Sequence, residues 1–326
     1  MKRVLFVCLA AAVVLTLSGS MAQAGGREPG SLLVYPLYDS RPAILTLITV
    51  TNTNPTEGVW VEYRYIRGDN CFKSDRTEFL TPNDTLTVVA GVHNPDHNQG
   101  YLYVYAKADR PSGSDAIVFN WLVGEASSFD GINVLETTYN AFSFFGIGPD
   151  GALTDKDKDE WLDLDGVEYE PAADYYIQPR FIGQADGVNP GFLSEIVLIN
   201  LTGGTQFTAD INFDIFNDNE EPLSATWSFT CWNRLPLLAI SGAFSATALK
   251  YKNNPDEIVG FPALESGWFM IQGIIANSDC DEIEDPAILH MLIETTGRNF
   301  AGAELPFESI DKQTNGDLLP RGCFGE

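Results

Sequence analysis

Short runs of β-branched and aromatic residues recur along the chain, separated by clusters of turn formers. The runs include SLLVYPLY from Ser31, ILTLITVTNTN from Ile44, VWVEYRYI from Val59, TLTVVAG from Thr85, YLYVYAKA from Tyr101 and AIVFNWLVG from Ala116. Within VWVEYRYI, Val59, Val61, Tyr63 and Tyr65 alternate with Trp60, Glu62, Arg64 and Ile66. That period of two is expected of a strand with one face in a core. DSRP, NTNPTEG, RGDN, TPND and HNPDHNQG lie between the runs and read as turns. No long stretch keeps an apolar period near 3.6. The pattern predicts an all-β fold built from β-sandwiches.

The order of the runs occurs twice. LLVYPLYDSRPAILTLITVTNTN is matched by YYIQPRFIGQADGVNPGFLSEIVLINLT, VWVEYRYIRGDN by TADINFDIFNDN, and GYLYVYA by GWFMIQG. Matched positions give offsets of 143 (Pro36 to Pro179), 148 (Asn52 to Asn200), 154 (Pro82 to Pro236), 167 (Gly100 to Gly267) and 170 (Asp115 to Asp285). A growing offset is what loop insertions in a second copy produce, so a duplication is expected. The expected organisation is a signal peptide over 1–24, one sandwich over 25–150, an acidic linker or loop over 151–172, and a second sandwich with a C-terminal tail over 173–326. Each sandwich is of immunoglobulin-like pattern.

The first residues sharpen the setting. Lys2 and Arg3 precede an apolar run from Val4 to Leu17, and Ala22-Gln23-Ala24 is a small-x-small cleavage site. This is the form of a secretory signal peptide, too short to be a membrane anchor with margin. The chain holds 19 Lys and Arg against 45 Asp and Glu, a formal charge of −26. Losing Lys2 and Arg3 takes it to −28. Such a chain repels nucleic acid and anionic lipid, so neither is expected as a partner, and no membrane insertion of the mature chain is expected. Four cysteines remain beyond the leader: Cys71, Cys231, Cys280 and Cys323. An even number in an exported chain suggests two disulfides, with three pairings open. The preferred pairing is Cys280–Cys323, pinning the tail, with Cys71–Cys231 by exclusion.

Candidate chemistry concentrates in DKDKDEWLDLDG, from Asp155 to Gly166. Asp155, Asp157, Asp159 and Asp163 stand at positions 1, 3, 5 and 9 of a calcium-loop register. Glu160 and Gly166 occupy the places where an EF-hand needs glycine and glutamate. An EF-hand is excluded; a looser calcium site completed by Asp165 and Glu168 competes with a solvated charged linker, which charge blocks favour. Trp161 and Leu162 suggest that the segment docks on a domain. GIGPDG, Gly146 to Gly151, has GxGxxG spacing but runs into acid rather than a helix, so no dinucleotide site is expected. His93, Asp96 and His97 in HNPDH read as a turn rather than a zinc site, and His290 lies in an apolar run as a core residue. No G-x-S-x-G or H-E-x-x-H occurs.

The strings GSLLVYPLYDSRP, TVTNTN, LTPNDTLTV, GYLYVYAKA, IVLINLTGG, DPAILHMLIE and NGDLLP together resemble a group of exported bacterial proteins of unknown function. That resemblance spans nearly the whole chain beyond the leader. It implies export and brings no catalytic residue or cofactor. The expected function is therefore structural, adhesive or binding, without catalysis, at the cell surface or secreted, with a protein or carbohydrate as partner. Loops at the sandwich ends would make the contacts; Tyr101, Tyr103 and Trp268 would join them where exposed, although burial is expected for most of these aromatics. The alternatives are a calcium-stabilised binding module, a secreted hydrolase using paired carboxylates, and self-assembly through edge strands.

Overall fold

The computed structural model describes residues 28–96, 98–108, 116–159, 161–184, 192–203, 206–250, 265–279, 281–296 and 300–318. The expected leader, His97, Cys280 and Cys323 lie outside them, and with the last two the pairing Cys280–Cys323. The first half holds β1 (Leu32–Asp39), β2 (Ile44–Asn52), β3 (Val59–Arg67), β4 (Lys73–Leu80), β5 (Thr85–Val89), α1 (Ala90–His93), β6 (Gln99–Lys107), β7 (Leu122–Asp130), β8 (Leu135–Asn140) and β9 (Phe142–Phe144). Two short strands follow, β10 (Asp163–Leu164) and β11 (Ala172–Ala173). The second half holds β12 (Tyr175–Ile182), β13 (Phe192–Asn200), β14 (Thr208–Asn217), β15 (Pro222–Thr230), β16 (Trp232–Pro236), α2 (Leu237–Ile240), α3 (Ala246–Leu249), β17 (Ser266–Asn277), β18 (Glu282–Glu284), β19 (Ile288–Thr296), β20 (Phe300–Glu304) and β21 (Phe307–Glu308). The tail adds β22 (Lys312–Gln313) and β23 (Gly316–Asp317).

The protein is all-β, with 60% strand and 6% helix. Its four main sheets are antiparallel: β4-β3-β6-β1-β9 and β5-β2-β7-β8 in the first half, β15-β14-β17-β12-β21 and β16-β13-β19-β20 in the second. They form a propeller-like set of four sheets, which corrects the expectation of two immunoglobulin-like sandwiches. In the immunoglobulin order the first strand neighbours the second. Here β1 lies between β6 and β9, in the sheet that does not contain β2.

The strand order of one half is the strand order of the other. Both halves interrupt their first strand at proline. The β1–β6 register shifts between Tyr35 and Tyr38, around Pro36, and the β12–β17 register shifts between Gln178 and Phe181, around Pro179. Proline has no N–H for the ladder, so each strand bulges there. The registers also correct the expected offsets. Leu47 pairs with Val89 and Glu195 with Pro236, so Pro236 answers to Val89 rather than Pro82. Asn52 pairs with Leu122 and Asn200 with Ile288, so Ile288 answers to Leu122, an offset of 166 rather than the 170 taken from Asp115 and Asp285. The offset therefore does not grow steadily. It rises from 143 to 148 between the first and second strands, and its large step, from 147 to 167, falls between α2, which answers to α1, and β17, where the turn Gly242–Phe244 and α3 are inserted. Phe244 from this insert is buried against Phe181, Phe213 and Phe269, with ring centroids 5.3, 5.4 and 5.9 Å away.

The expected alternation fails on the central strands. Every residue of β1 is buried, and on β3 only Trp60 and Arg67 are not. Glu62 and Arg64 are thus inside. Glu62 accepts from Lys107 Nζ at 3.1 Å and Thr77 Oγ1 at 2.6 Å, while the Arg64 guanidinium lies over the rings of Tyr105 (5.0 Å) and Tyr103 (5.9 Å). Buried charge is tolerated when paired in this way. Tyr101 and Tyr103 are core residues, the burial expected for most of the aromatics. Trp268 is half-buried and stacks on Phe216 at 4.4 Å.

The segment 151–172 is built into the molecule rather than spanning it as a linker. Leu162, Leu164, Tyr169 and Ala172 are buried. β10 pairs with β23 and β11 with β22, so the tail runs back along the connector. Tyr169 stands near Arg64 and Tyr103, and Asp317 near Tyr101 and Tyr103, so connector and tail lie over the outer face of the central sheet. The buried apolar residues of both halves form one contiguous cluster, from Leu32 to Leu318, not two separate cores.

The halves are also joined covalently. Cys71 and Cys231 form a disulfide across 160 positions, the pairing reached by exclusion. Beside it the Trp232 indole donates from Nε1 to Pro36 O at 2.9 Å. The same indole lies against Gly68, where any Cβ would come within 2.2 Å of the ring.

Candidate functional site

The carboxylates of the acidic segment mostly serve their own backbone. Asp155 accepts from Lys158 N, Asp157 from Asp159 N, Asp159 from Trp161 N, and Asp165 from both Val167 N and Glu168 N. These are local turns of the kind short acidic side chains favour. Two groups nevertheless bring ligand oxygens within 4.8 Å of one another: Asp155, Asp157 and Asp159, and Asp157, Asp163 and Glu168. Asp165 joins neither. Glu168 differs from the rest in being buried, with its carboxylate accepting from Lys156 N and Asp163 N. Burial raises its pKa to about 7, with the charges of Asp163 and Asp155 adding to the effect. Burial likewise raises Glu170 to about 7, and raises Asp159 beside Asp157 and Asp155.

The histidines carry no metal arrangement among the described residues. His93 ends α1; its Nδ1 is 2.9 Å from Tyr65 Oη and its Nε2 3.5 Å from Glu78. Asp96 is exposed beyond it. His290 is fully buried against Tyr176 and Phe269, and neither ring nitrogen has a hydrogen-bond partner. Burial lowers its pKa to about 3, so it sits in the core as a neutral ring.

A cleft of about 710 Å³ lies where the halves meet. Its walls come from the ends of β1, β7 and β8 on one side and from β13, β16 and β19 on the other. The bulge at Pro36 turns Leu37 toward it, and the backbone groups of Leu37 are taken up by the Tyr139 hydroxyl, which accepts from Leu37 N and donates to Leu37 O. Asp39 follows at the end of β1. Its carboxylate is buried and accepts from Arg41 N (3.1 Å), Nε (3.0 Å) and Nη2 (2.6 Å). From the second half Arg234 brings Nη1 to 3.9 Å of Asp39 and Nη2 to 3.0 Å of Glu195. Asp39, Arg41, Arg234 and Glu195 thus form one network across the junction. Asp130, on the same rim, accepts from Ile132 N, Asn133 N and Asn133 Nδ2. Burial alone raises its pKa, but the Asn133 and Ile132 donors and the Arg234 charge outweigh it and hold the carboxyl below the usual range.

Sequence reasoning recognised DSRP, Asp39 to Pro42, only as a turn. An acidic residue two positions before arginine, at a strand end, was the one local sign of this network. Its partners Glu195 and Arg234 lie 156 and 195 positions further along the chain. No known protein family matches the chain, and no curated protein is significantly similar to it. Among the described residues no helix is long and apolar enough to cross a membrane. The disulfide fits an oxidising compartment.

Proposed function

We propose that this is an exported, non-enzymatic binding protein, built from two halves related by duplication, whose ligand occupies the cleft between them. One observation carries the reading: each cleft carboxylate is already committed to donors, Asp39 to Arg41, Glu195 to Arg234, and Asp130 to its own turn. Hydrolysis by paired carboxylates needs one held protonated near neutral pH. The carboxyls that burial raises, Glu168, Glu170 and Asp159, lie in the connector, with Asp174 just beyond it. A charge-paired rim inside a pocket of ordinary ligand size favours recognition over turnover.

The test is a calorimetric screen of oligosaccharides, peptides and small metabolites against the wild type and Thr295→Trp, which places a bulky indole on the cleft wall. Saturable binding in the wild type, loss in the variant and recovery of unchanged ligand support the proposal. Recovery of a cleaved product overturns it.

A second reading, a calcium-stabilised module, draws on the convergence of Asp157, Asp163 and the buried Glu168. A cation there would relieve the cost of ionising Glu168. Melting with added calcium and then with chelator decides it: no shift leaves the segment as a covering of the central sheet.

A further inference from the structure

The two halves treat their outermost strands differently. β4 and β15 hold the same place in the two strand orders, each at the end of a sheet and paired on one side only, β4 with β3 and β15 with β14. Such an edge offers a row of N–H and C=O groups to another strand, and charged side chains are the usual protection. β4 has that protection: Lys73, Asp75, Arg76 and Glu78 fall within its eight residues. β15, PLSATWSFT, has no charge in nine residues. Beyond its ladder with β14, its backbone makes no hydrogen bond among the described residues. On a chain of formal charge −26, this strand is a place where two copies meet without like charges face to face.

The side chains of β15 also suit a second copy of the same strand. Ala225 and Phe229 are buried in the core; Leu223 and Trp227, on the same face, pack against it but stay only half-buried at the edge. Ser224, Thr226 and Ser228 are exposed on the other face. An antiparallel pairing centred on Thr226 sets Leu223 opposite Phe229 and Ala225 opposite Trp227, apolar against apolar and small against large. It sets Ser224 opposite Ser228 and Thr226 opposite its own copy, hydroxyl against hydroxyl. Cross-strand pairs of these kinds stabilise a sheet, and the partner strand covers the half-buried Leu223 and Trp227. The acids nearest the edge, Asp210 and Asp214, lie on β14 beside Ser228 and Ser224. In the pair, Asp214 of one copy is three strand spacings, about 14 Å, from Asp210 of the other. That exceeds the Debye length of about 8 Å at physiological salt.

We infer that β15 is a dimerisation edge: two copies pair it antiparallel about a twofold axis at Thr226, joining the β15-β14-β17-β12-β21 sheets of two molecules into one. The contact uses the same edge of both molecules, so it closes at the dimer. β15 contributes no residue to the lining of the cleft, so the inference stands apart from the proposed binding site.

The experiment is analytical ultracentrifugation of the purified protein over a concentration series reaching about 100 μM. The wild type is a monomer–dimer system. Its association strengthens from about 0.01 to 0.15 M salt, as the Debye length falls from about 30 to 8 Å. Thr226→Lys sets two ammonium groups on the axis and weakens association about tenfold or more. Thr226→Cys forms an intermolecular disulfide under mild oxidation, above the wild-type level on non-reducing gels. Ser224→Cys does not, because its two copies stand about 14 Å apart in this register. A wild type that stays monomeric at every concentration overturns the inference. So does association that Thr226→Lys leaves unchanged, crosslinking of Ser224→Cys in preference to Thr226→Cys, or growth beyond the dimer. Melting temperatures of the variants within a few degrees of wild type separate lost association from lost folding.

Discussion

Removing the covalent tie between the halves offers the sharpest quantitative test. Cys71 and Cys231 close a loop of 160 positions. In the chain-entropy treatment a loop of that length constrains the unfolded chain by about 5 kcal/mol at 25 °C, the upper end of what disulfides deliver. The site has a second property. Both cysteines adopt left-handed backbone, with φ of 53° at Cys71 and 56° at Cys231. A non-glycine residue there costs about 1–2 kcal/mol, whereas glycine enters freely. The double variant Cys71→Ala/Cys231→Ala should therefore lose about 3–5 kcal/mol. Cys71→Gly/Cys231→Gly should recover about 1 kcal/mol per site relative to it, less what glycine adds to unfolded-chain entropy. Equilibrium urea unfolding of the three proteins, with the wild type oxidised and reduced, measures both terms. The reduced wild type should fall with the alanine variant. A loss under about 1 kcal/mol in the alanine variant would refute the claim that the clasp holds the halves together. A glycine variant less stable than the alanine variant would refute the backbone argument.

Three further expectations follow from buried groups. His290 is lowered to about 3 by burial, so the unfolded chain takes up its proton from about pH 6.5 downward while the folded protein does not. Stability from this group is intact above pH 6.5 and falls by about 1.4 kcal/mol per pH unit as pH drops toward 3; His290→Leu should flatten that slope in pH-dependent melts and raise the melting temperature. Glu168 shifts the other way: with its pKa raised to about 7, the folded state holds its proton longer than the unfolded chain, so its contribution is present below about pH 4.5 and lost as pH rises through 7. Glu168→Gln, which keeps its carbonyl oxygen for Lys156 N and gives up the 3.3 Å bond from Asp163 N, should stabilise the protein at pH 8 and lose about 1 kcal/mol or less at pH 5. Finally, Gly100→Ala should destabilise by about 2 kcal/mol or more, because a Cβ there would lie 1.9 Å from Ile66 O in the β3–β6 pairing; an unchanged urea midpoint would contradict that packing.

Much of the fold can be read in primary structure because its cause is local. The runs SLLVYPLY, VWVEYRYI and YLYVYAKA become β1, β3 and β6 since β-branched and aromatic side chains suit a pleated backbone. Pro36 and Pro179 mark bulges because a residue without an N–H must interrupt a ladder wherever it falls. The even cysteine count left Cys71–Cys231 among its pairings. What alternation could not reveal is how many faces a sheet buries. Glu62, Arg64, Tyr101 and Tyr103 look outward by periodicity. They are inside because the connector and the tail, distant in sequence, lie over that face.

The cleft escaped for a similar reason. A charge network between Asp39, Arg41, Glu195 and Arg234 has no period and no motif; it exists only because two bulged sheets and a disulfide hold their strand ends together. The acidic run, the most conspicuous feature of the chain, spends most of its carboxylates on its own backbone turns, where short acidic side chains find donors two or three residues away. Local propensity thus set the strands and turns. Burial of the second face, the single core and the site between the halves were decided by long-range packing, in which the partner of each group is a residue that no window of sequence contains.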